Sequence, residues 1–152
     1  ARQGICDSQS ASGEIGMTTP YNKSYTPPFP TLSIVLGEGS SRVGPVPALI
    51  DSGADATLVP IDLLKRIGVG EGEEVTIRSH FGERQAALLF LVPLAIEGTN
   101  LVGLYVVGNE LTDEIILGRN VLNKLALFLD GPTQQTDLLD DATVQRLRAR
   151  RE

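Results

Sequence analysis

Ala48-Leu49-Ile50-Asp51-Ser52-Gly53-Ala54-Asp55-Ala56-Thr57-Leu58-Val59-Pro60 is the stretch on which the reading of this 152-residue chain turns. A strongly apolar run ends in a carboxylate, followed at once by a hydroxyl, a glycine and a small residue. The apolar run predicts a buried strand, and Asp51 sits at its mouth. Gly53 lets the backbone turn sharply and lets another chain approach closely. Ser52 supplies a hydroxyl that can tie neighbouring backbone together. The bare tripeptide Asp-Ser-Gly is a weak signal, expected by chance in roughly one chain in ten or twenty of this length.

A second segment adds what the tripeptide lacks. In Glu114-Ile115-Ile116-Leu117-Gly118-Arg119-Asn120-Val121-Leu122, an apolar strand runs into a glycine and then into an arginine that opens a short helix. Taken together, in this order and about 65 residues apart, the two segments resemble the retropepsin family of single-domain aspartic proteases. The fold class that the resemblance implies is mainly β. It is a single-domain, retropepsin-like closed β-barrel with a β-hairpin flap and one or two short helices, active as a homodimer.

The resemblance covers roughly residues 31–138 and implies roles for particular residues. Asp51 would be the catalytic aspartate, and Ser52 the hydroxyl that braces two active-site loops across a dimer axis. Gly53 belongs to the same catalytic loop. Ala54 and Asp55 would contact a bound peptide. Arg119 would hold Asp55 in place, in a buried or half-buried pair, with Gly118 and Asn120 supporting the site beside it. The flap would be the hairpin between Val75–Arg78 and Gln85–Leu88, with His80, Phe81 and Gly82 at its tip as substrate contacts. No cofactor and no metal are implied.

Outward from these motifs the chain divides by texture. Residues 1–30 are rich in Ser, Gly, Thr and Pro and end in Thr26-Pro27-Pro28-Phe29-Pro30, which predicts a flexible segment. Residues 31–138 show short apolar runs punctuated by glycine, the texture of a β-rich domain. Leu32–Leu36, Val43–Ile50, Glu74–Ser79, Gln85–Ile96 and Leu101–Val107 read as strands. Pro60–Ile67 reads as a short helix stopped by Gly68, and Arg119–Leu125 as a second. Leu127–Asp130 and Thr133–Leu138 read as a hairpin around Gly131-Pro132. Residues 139–152 form a tail in which a short helix capped by Asp141 is expected.

Composition excludes several chemistries. Cys6 and His80 are single copies, so neither a Cys/His zinc site nor an internal disulfide can be assembled. A phosphate-binding glycine loop ending in Lys-Ser/Thr is absent. Tryptophan is missing, aromatics are 5% and the net charge is −6, all of which argue against nucleic acid as a partner. The acidity lies in residues 31–138, with 7 Lys/Arg against 14 Asp/Glu, whereas the last 14 residues hold 4 against 3. The longest apolar run, Ala86–Ile96, is 11 residues and contains Pro93, too short to cross a membrane. The N-terminus lacks the basic-then-apolar layout of a secretory signal. With Ala1 in first place, the expectation is a processed product or excised fragment of cytoplasmic origin.

One Asp-Ser-Gly cannot by itself do the chemistry that the resemblance implies. Hydrolysing an amide through water needs one group to accept a proton and another to give one. Asp7-Ser8-Gln9 lacks the glycine and Asp130-Gly131 lacks the hydroxyl, so the chain holds no second copy of the motif. The second carboxylate is therefore expected from a second copy of the chain across a two-fold axis. The expected partners are this second copy and polypeptide substrates. Two alternatives remain open at this point. One is a non-catalytic peptide-binding or dimerisation module of the same fold, and the other a structural β-domain of a larger polyprotein.

Overall fold

Alternation of apolar residues sets the strands, and their pairing closes the sheet on itself. The computed structural model describes residues 15–78 and 81–151. Among these described residues, ten strands and three α-helices follow in the order β1 (Ile15–Pro20), β2 (Thr31–Leu36), β3 (Val43–Ile50), β4 (Thr57–Pro60), α1 (Ile61–Arg66), β5 (Glu73–Arg78), β6 (Arg84–Ile96), β7 (Thr99–Asn109), β8 (Ile115–Leu117), α2 (Arg119–Leu122), β9 (Leu127–Asp130), β10 (Gln135–Leu139) and α3 (Asp141–Ala149). The main sheet runs β2-β3-β8-β4-β7-β6-β5, and β2 also pairs with β6. That extra pairing closes six strands into a barrel and leaves β5 hanging from β6.

Inside the barrel the side chains alternate as a period of two demands. Leu32, Ile34 and Leu36 of β2 face Val92, Leu94 and Ile96 of β6 and Leu104 and Val106 of β7 in one buried cluster. The long strand β6 pairs with β5, β7 and β2, and its register with β7 shifts between Val92 and Leu94. Pro93, which has no N–H to give to a ladder, sits at that irregularity, and its carbonyl accepts from Gly37 N–H at 2.9 Å. Leu64 and Ile67 of the α1 region plug one side of the core. Gly68, at φ +70°, ends that helix in the left-handed conformation that glycine adopts without a steric penalty.

Two expectations are corrected here. The segment 1–30 was expected to be flexible, yet residues 15–20 form β1, which pairs antiparallel with β10. Thr18 Oγ1 donates to Asp137 Oδ1 at 2.7 Å across that pairing, and Asp137 is buried. A partner 119 residues away supplies the ladder, which no local pattern announces. The helix at the C-terminus is capped by Asp140 rather than Asp141, because the Asp140 carboxylate accepts from Thr143 N–H at 2.8 Å.

β1, β10 and β9 form a separate three-stranded sheet in which β9 is an outer strand. Phe128 and Leu129 on it are 52% and 48% exposed. Among the described residues, no helix is long and apolar enough to cross a membrane.

Candidate active site

Parallel pairing brings the two sequence motifs together. β3 and β8 run side by side with Ala48, Leu49 and Ile50 opposite Ile115, Ile116 and Leu117. The next residue along each strand, Asp51 on one and Gly118 on the other, therefore emerges at the same end of the barrel. Asp51 N–H donates to the Leu117 carbonyl at 3.1 Å, extending the ladder by one bond.

Beyond Asp51 the chain turns back on itself. Asp51 Oδ1 accepts from Gly53 N–H at 2.9 Å, and the Asp51 carbonyl accepts from Ala54 N–H at 3.2 Å. These bonds fix the carboxylate against its own loop, half-buried, while Ser52 and Gly53 lie exposed. The second motif then clasps the loop. Arg119 N–H donates to the Ala54 carbonyl at 2.8 Å, and Arg119 Nη1 donates to the Ser52 carbonyl at 3.1 Å. Its Nη2 forms an ion pair with Asp55 Oδ1. The Arg119 and Asp55 side chains are 44% and 76% exposed in the single chain, which corrects the expected buried or half-buried pair.

Gly118 is required by space. A Cβ there would lie 2.3 Å from the Ala56 carbonyl oxygen and 2.4 Å from its carbon, and real Cβ atoms do not approach backbone that closely. Its backbone lies near extended geometry, so the requirement is steric contact rather than left-handed conformation.

A residue that the motif reading passed over sits at the centre of this clasp. Thr57, fully buried, accepts from Gly118 N–H at 3.1 Å and donates to Asn120 Oδ1 at 2.8 Å. Asn120 Nδ2 in turn donates to the Tyr105 carbonyl at 2.9 Å. One hydroxyl thus ties β4, the Gly118 turn and β7. The available signal was a lone polar residue inside the apolar run Ala56-Thr57-Leu58-Val59.

The expected substrate-contact residues separate. Ala54 and Asp55 lie in the loop after Asp51. Phe81 and Gly82 lie at the tip of the β5–β6 hairpin, where Phe81 is 95% exposed and Gly82 has φ +82°. His80 lies outside the described residues. The hairpin arms pair from Glu73 opposite Leu89 to Arg78 opposite Arg84. A cavity of about 590 Å³ lies between those arms and the segment Val107–Thr112, with Leu58 on its wall. No group of three or more potential metal ligands occurs among the described residues.

This combination of barrel, Asp-Ser-Gly-Ala loop and Gly-Arg-Asn clasp corresponds to one family. The profile of the gag-polyprotein putative aspartyl proteases matches residues 41–124, more than half of the chain. The chain belongs to that family. Its retropepsin-like fold is shared with EIAV protease complexed with the inhibitor HBY-793, at 19% identity and TM-score 0.50, covering 70% of this chain and 93% of that one. It is shared also with a retropepsin-like aspartic protease from Rickettsia conorii, at 14% identity and TM-score 0.56, covering 84% and 90%. No curated protein matches the sequence. The matched span contains both motifs and the hairpin, so the family assignment and the site geometry rest on the same residues.

Proposed function

We propose that the chain is an aspartic endopeptidase whose catalytic centre is made of two Asp51 carboxylates, one from each subunit of a homodimer. The observation that carries this reading is the clasped loop. Asp51 is held by backbone donors at the open end of a barrel, and Arg119 fixes the loop from the adjoining strand end.

Two carboxylates about 3 Å apart, at an effective dielectric of about 20, repel by roughly 5 kcal/mol, so the pair keeps one proton between them. The ionised member takes a proton from water as the water attacks the scissile carbonyl. The protonated member hydrogen-bonds the carbonyl oxygen as negative charge develops on it. Return of a proton to the departing nitrogen completes the cleavage. Ser52, exposed beside Asp51, is the hydroxyl that would brace one loop against its copy. The β5–β6 hairpin would act as the flap, holding an extended peptide against the floor and excluding water.

The outer strand β9, with Phe128 and Leu129 exposed, supports a homodimer, because an open strand edge with apolar side chains is a ready pairing surface. The test is incubation of the pure protein with a diverse peptide library, with cut sites read by mass spectrometry, beside an Asp51→Asn control. Cleavage that falls by orders of magnitude in the folded Asp51→Asn protein is expected. Undiminished cleavage by that variant would end the reading.

A further inference from the structure

The cavity under the β5–β6 hairpin does not stop at the hairpin. Its apolar wall includes Leu58, Ile77, Leu88, Val107 and Leu111. Leu111 is 92% exposed and is presented on a built turn: its N–H donates to Asn109 Oδ1 at 2.9 Å, and Asn109 Nδ2 donates to Thr112 Oγ1 at 2.9 Å. The cavity shares Ile61, Asn109, Glu110 and Thr112 with a second cavity of about 200 Å³. That one shares Pro60, Asp62 and Asp113 with a third of about 440 Å³ beside β3, whose lining includes Val43, Val46, Leu49, Leu63 and Ile115. Together these adjoining cavities make a segmented trough from the hairpin arms to β3.

Its charge is one-sided. Glu74 and Glu110 line the first part, Asp62 and Asp113 the middle, and Glu114 the last. All five are exposed, and only Lys65 and Arg66 oppose them. Among the described residues the one ion pair is Arg119–Asp55, so none of these carboxylates is ion-paired with another described residue. An apolar floor with an acidic rim, beginning beside the hairpin proposed to cover the substrate, complements an extended chain that carries cations beyond the segment being cut.

Resting on the endopeptidase reading, we propose that this trough receives the flank of the substrate polypeptide, and that the enzyme selects peptides with Lys or Arg on that flank. In a homodimer each subunit contributes one such trough, so basic residues are favoured on both sides of the scissile bond.

The test starts from a peptide that the enzyme cuts. Gln, Lys and Glu are substituted in turn at each flanking position, and kcat/KM is measured for wild type and for the triple variant Glu110→Gln, Asp113→Asn, Glu114→Gln. Lys is expected to exceed Gln by about 3- to 10-fold at one or more flanking positions, with Glu below Gln, as a few exposed charge pairs acting together would give. In the triple variant, and in 0.5 M salt, the Lys-to-Gln ratio is expected to fall toward one. The same fluorescein-labelled peptides are titrated into the Asp51→Asn protein by anisotropy, which reads the trough without any cleavage. A ratio near one at every position, or one unchanged in the triple variant, overturns the proposal. So does self-association through the arginines of α3 that disappears in the triple variant while the peptide preference is absent, because a second copy would then occupy the trough. Cleavage that persists in Asp51→Asn instead sinks the endopeptidase reading, and the anisotropy series still decides the trough.

Discussion

The Thr57 hydroxyl accepts from the Gly118 backbone N–H at 3.1 Å and so joins, inside the barrel, two segments 61 residues apart in sequence. The same hydroxyl donates to Asn120, so it satisfies a donor and an acceptor at once. Replacing it leaves a buried N–H and a side-chain oxygen without their partner. Thr57→Val, which keeps the shape and removes the hydroxyl, is expected to lower stability by about 1–3 kcal/mol, read by denaturant unfolding. Thr57→Ser retains the hydroxyl and should recover most of the activity that Thr57→Val loses. Equal activity in the two variants would show that the clasp does not position the loop.

Gly118→Ala tests the closeness of the same contact. The added methyl would meet the Ala56 backbone at 2.3 Å, and backbone cannot swing aside as a flexible side-chain end can. The Asp51–Ala56 loop must shift, at a cost of about 1–3 kcal/mol or more. Cleavage is expected to fall at least tenfold with the protein still folded by circular dichroism. A wild-type rate would mean that the loop has slack which the geometry does not suggest.

Arg119→Ala should separate stability from activity. Its pair with Asp55 is largely exposed, and exposed pairs contribute about 0–1 kcal/mol. The bond from Nη1 to the Ser52 carbonyl adds a similar amount. A fall in Tm of a few degrees is therefore expected, since about 1 kcal/mol corresponds to about 2–4 °C at this chain length. Activity should drop more than that change implies, because the loop loses its outer brace. A collapse of the fold would show that the pair is buried, as it would be if a second subunit covers it.

Much of this site could be read from residues, and the reason is that its two motifs lie on strand ends with strong local signals. The apolar runs before Asp51 and Gly118 announce the strands, and the small residues after them announce the turns. β4 was not visible, because four residues ending in Pro60 are too few to show alternation. β1 was not visible either. Ile15-Gly16-Met17-Thr18-Thr19-Pro20 carries a glycine, a proline and little apolar patterning, and its strand state is imposed by pairing with β10. Thr57 carried no local signal beyond being a polar residue in an apolar run, and its role emerges only when β4, β7 and the Gly118 turn meet in space.

The Asp140 cap supplies a pH dependence with a definite sign. Its side-chain hydrogen bond with Thr143, the Thr143 backbone N–H and the nearby Arg146 charge hold its carboxyl below the ordinary carboxylate value. A carboxylate with a lowered folded-state pKa stabilises the fold above its unfolded value, and that contribution is lost as pH falls through the folded value. The helicity of α3 should therefore decline on acidification below about pH 4, near the unfolded carboxylate value. Asp140→Asn keeps a capping oxygen and removes the titration. Far-ultraviolet circular dichroism against pH, compared for the two proteins, checks this. Identical acid profiles would remove Asp140 as the cause.

The last prediction joins β9 to Asp51. If each catalytic centre needs two Asp51 carboxylates, a monomer is inert however well it folds, and specific activity must rise with concentration until dimers saturate. Stable interfaces bury at least about 1,000 Å², more than two active-site loops can supply, so further surface must pair. β9 offers it through an open edge, with Phe128 and Leu129 exposed and its other edge already paired to β10. Phe128→Asp with Leu129→Lys should leave the barrel folded, since neither side chain belongs to the buried core, and should shift the dimer to monomer. Activity at low micromolar protein should fall with the dimer population and return in part at high concentration. Light scattering across a dilution series, run beside the cleavage assay, reads both quantities on the same samples. Constant specific activity through a measured dimer-to-monomer transition would contradict the shared-carboxylate mechanism. A double variant that stays dimeric and active would move the interface away from β9 and leave the two-chain catalytic centre standing.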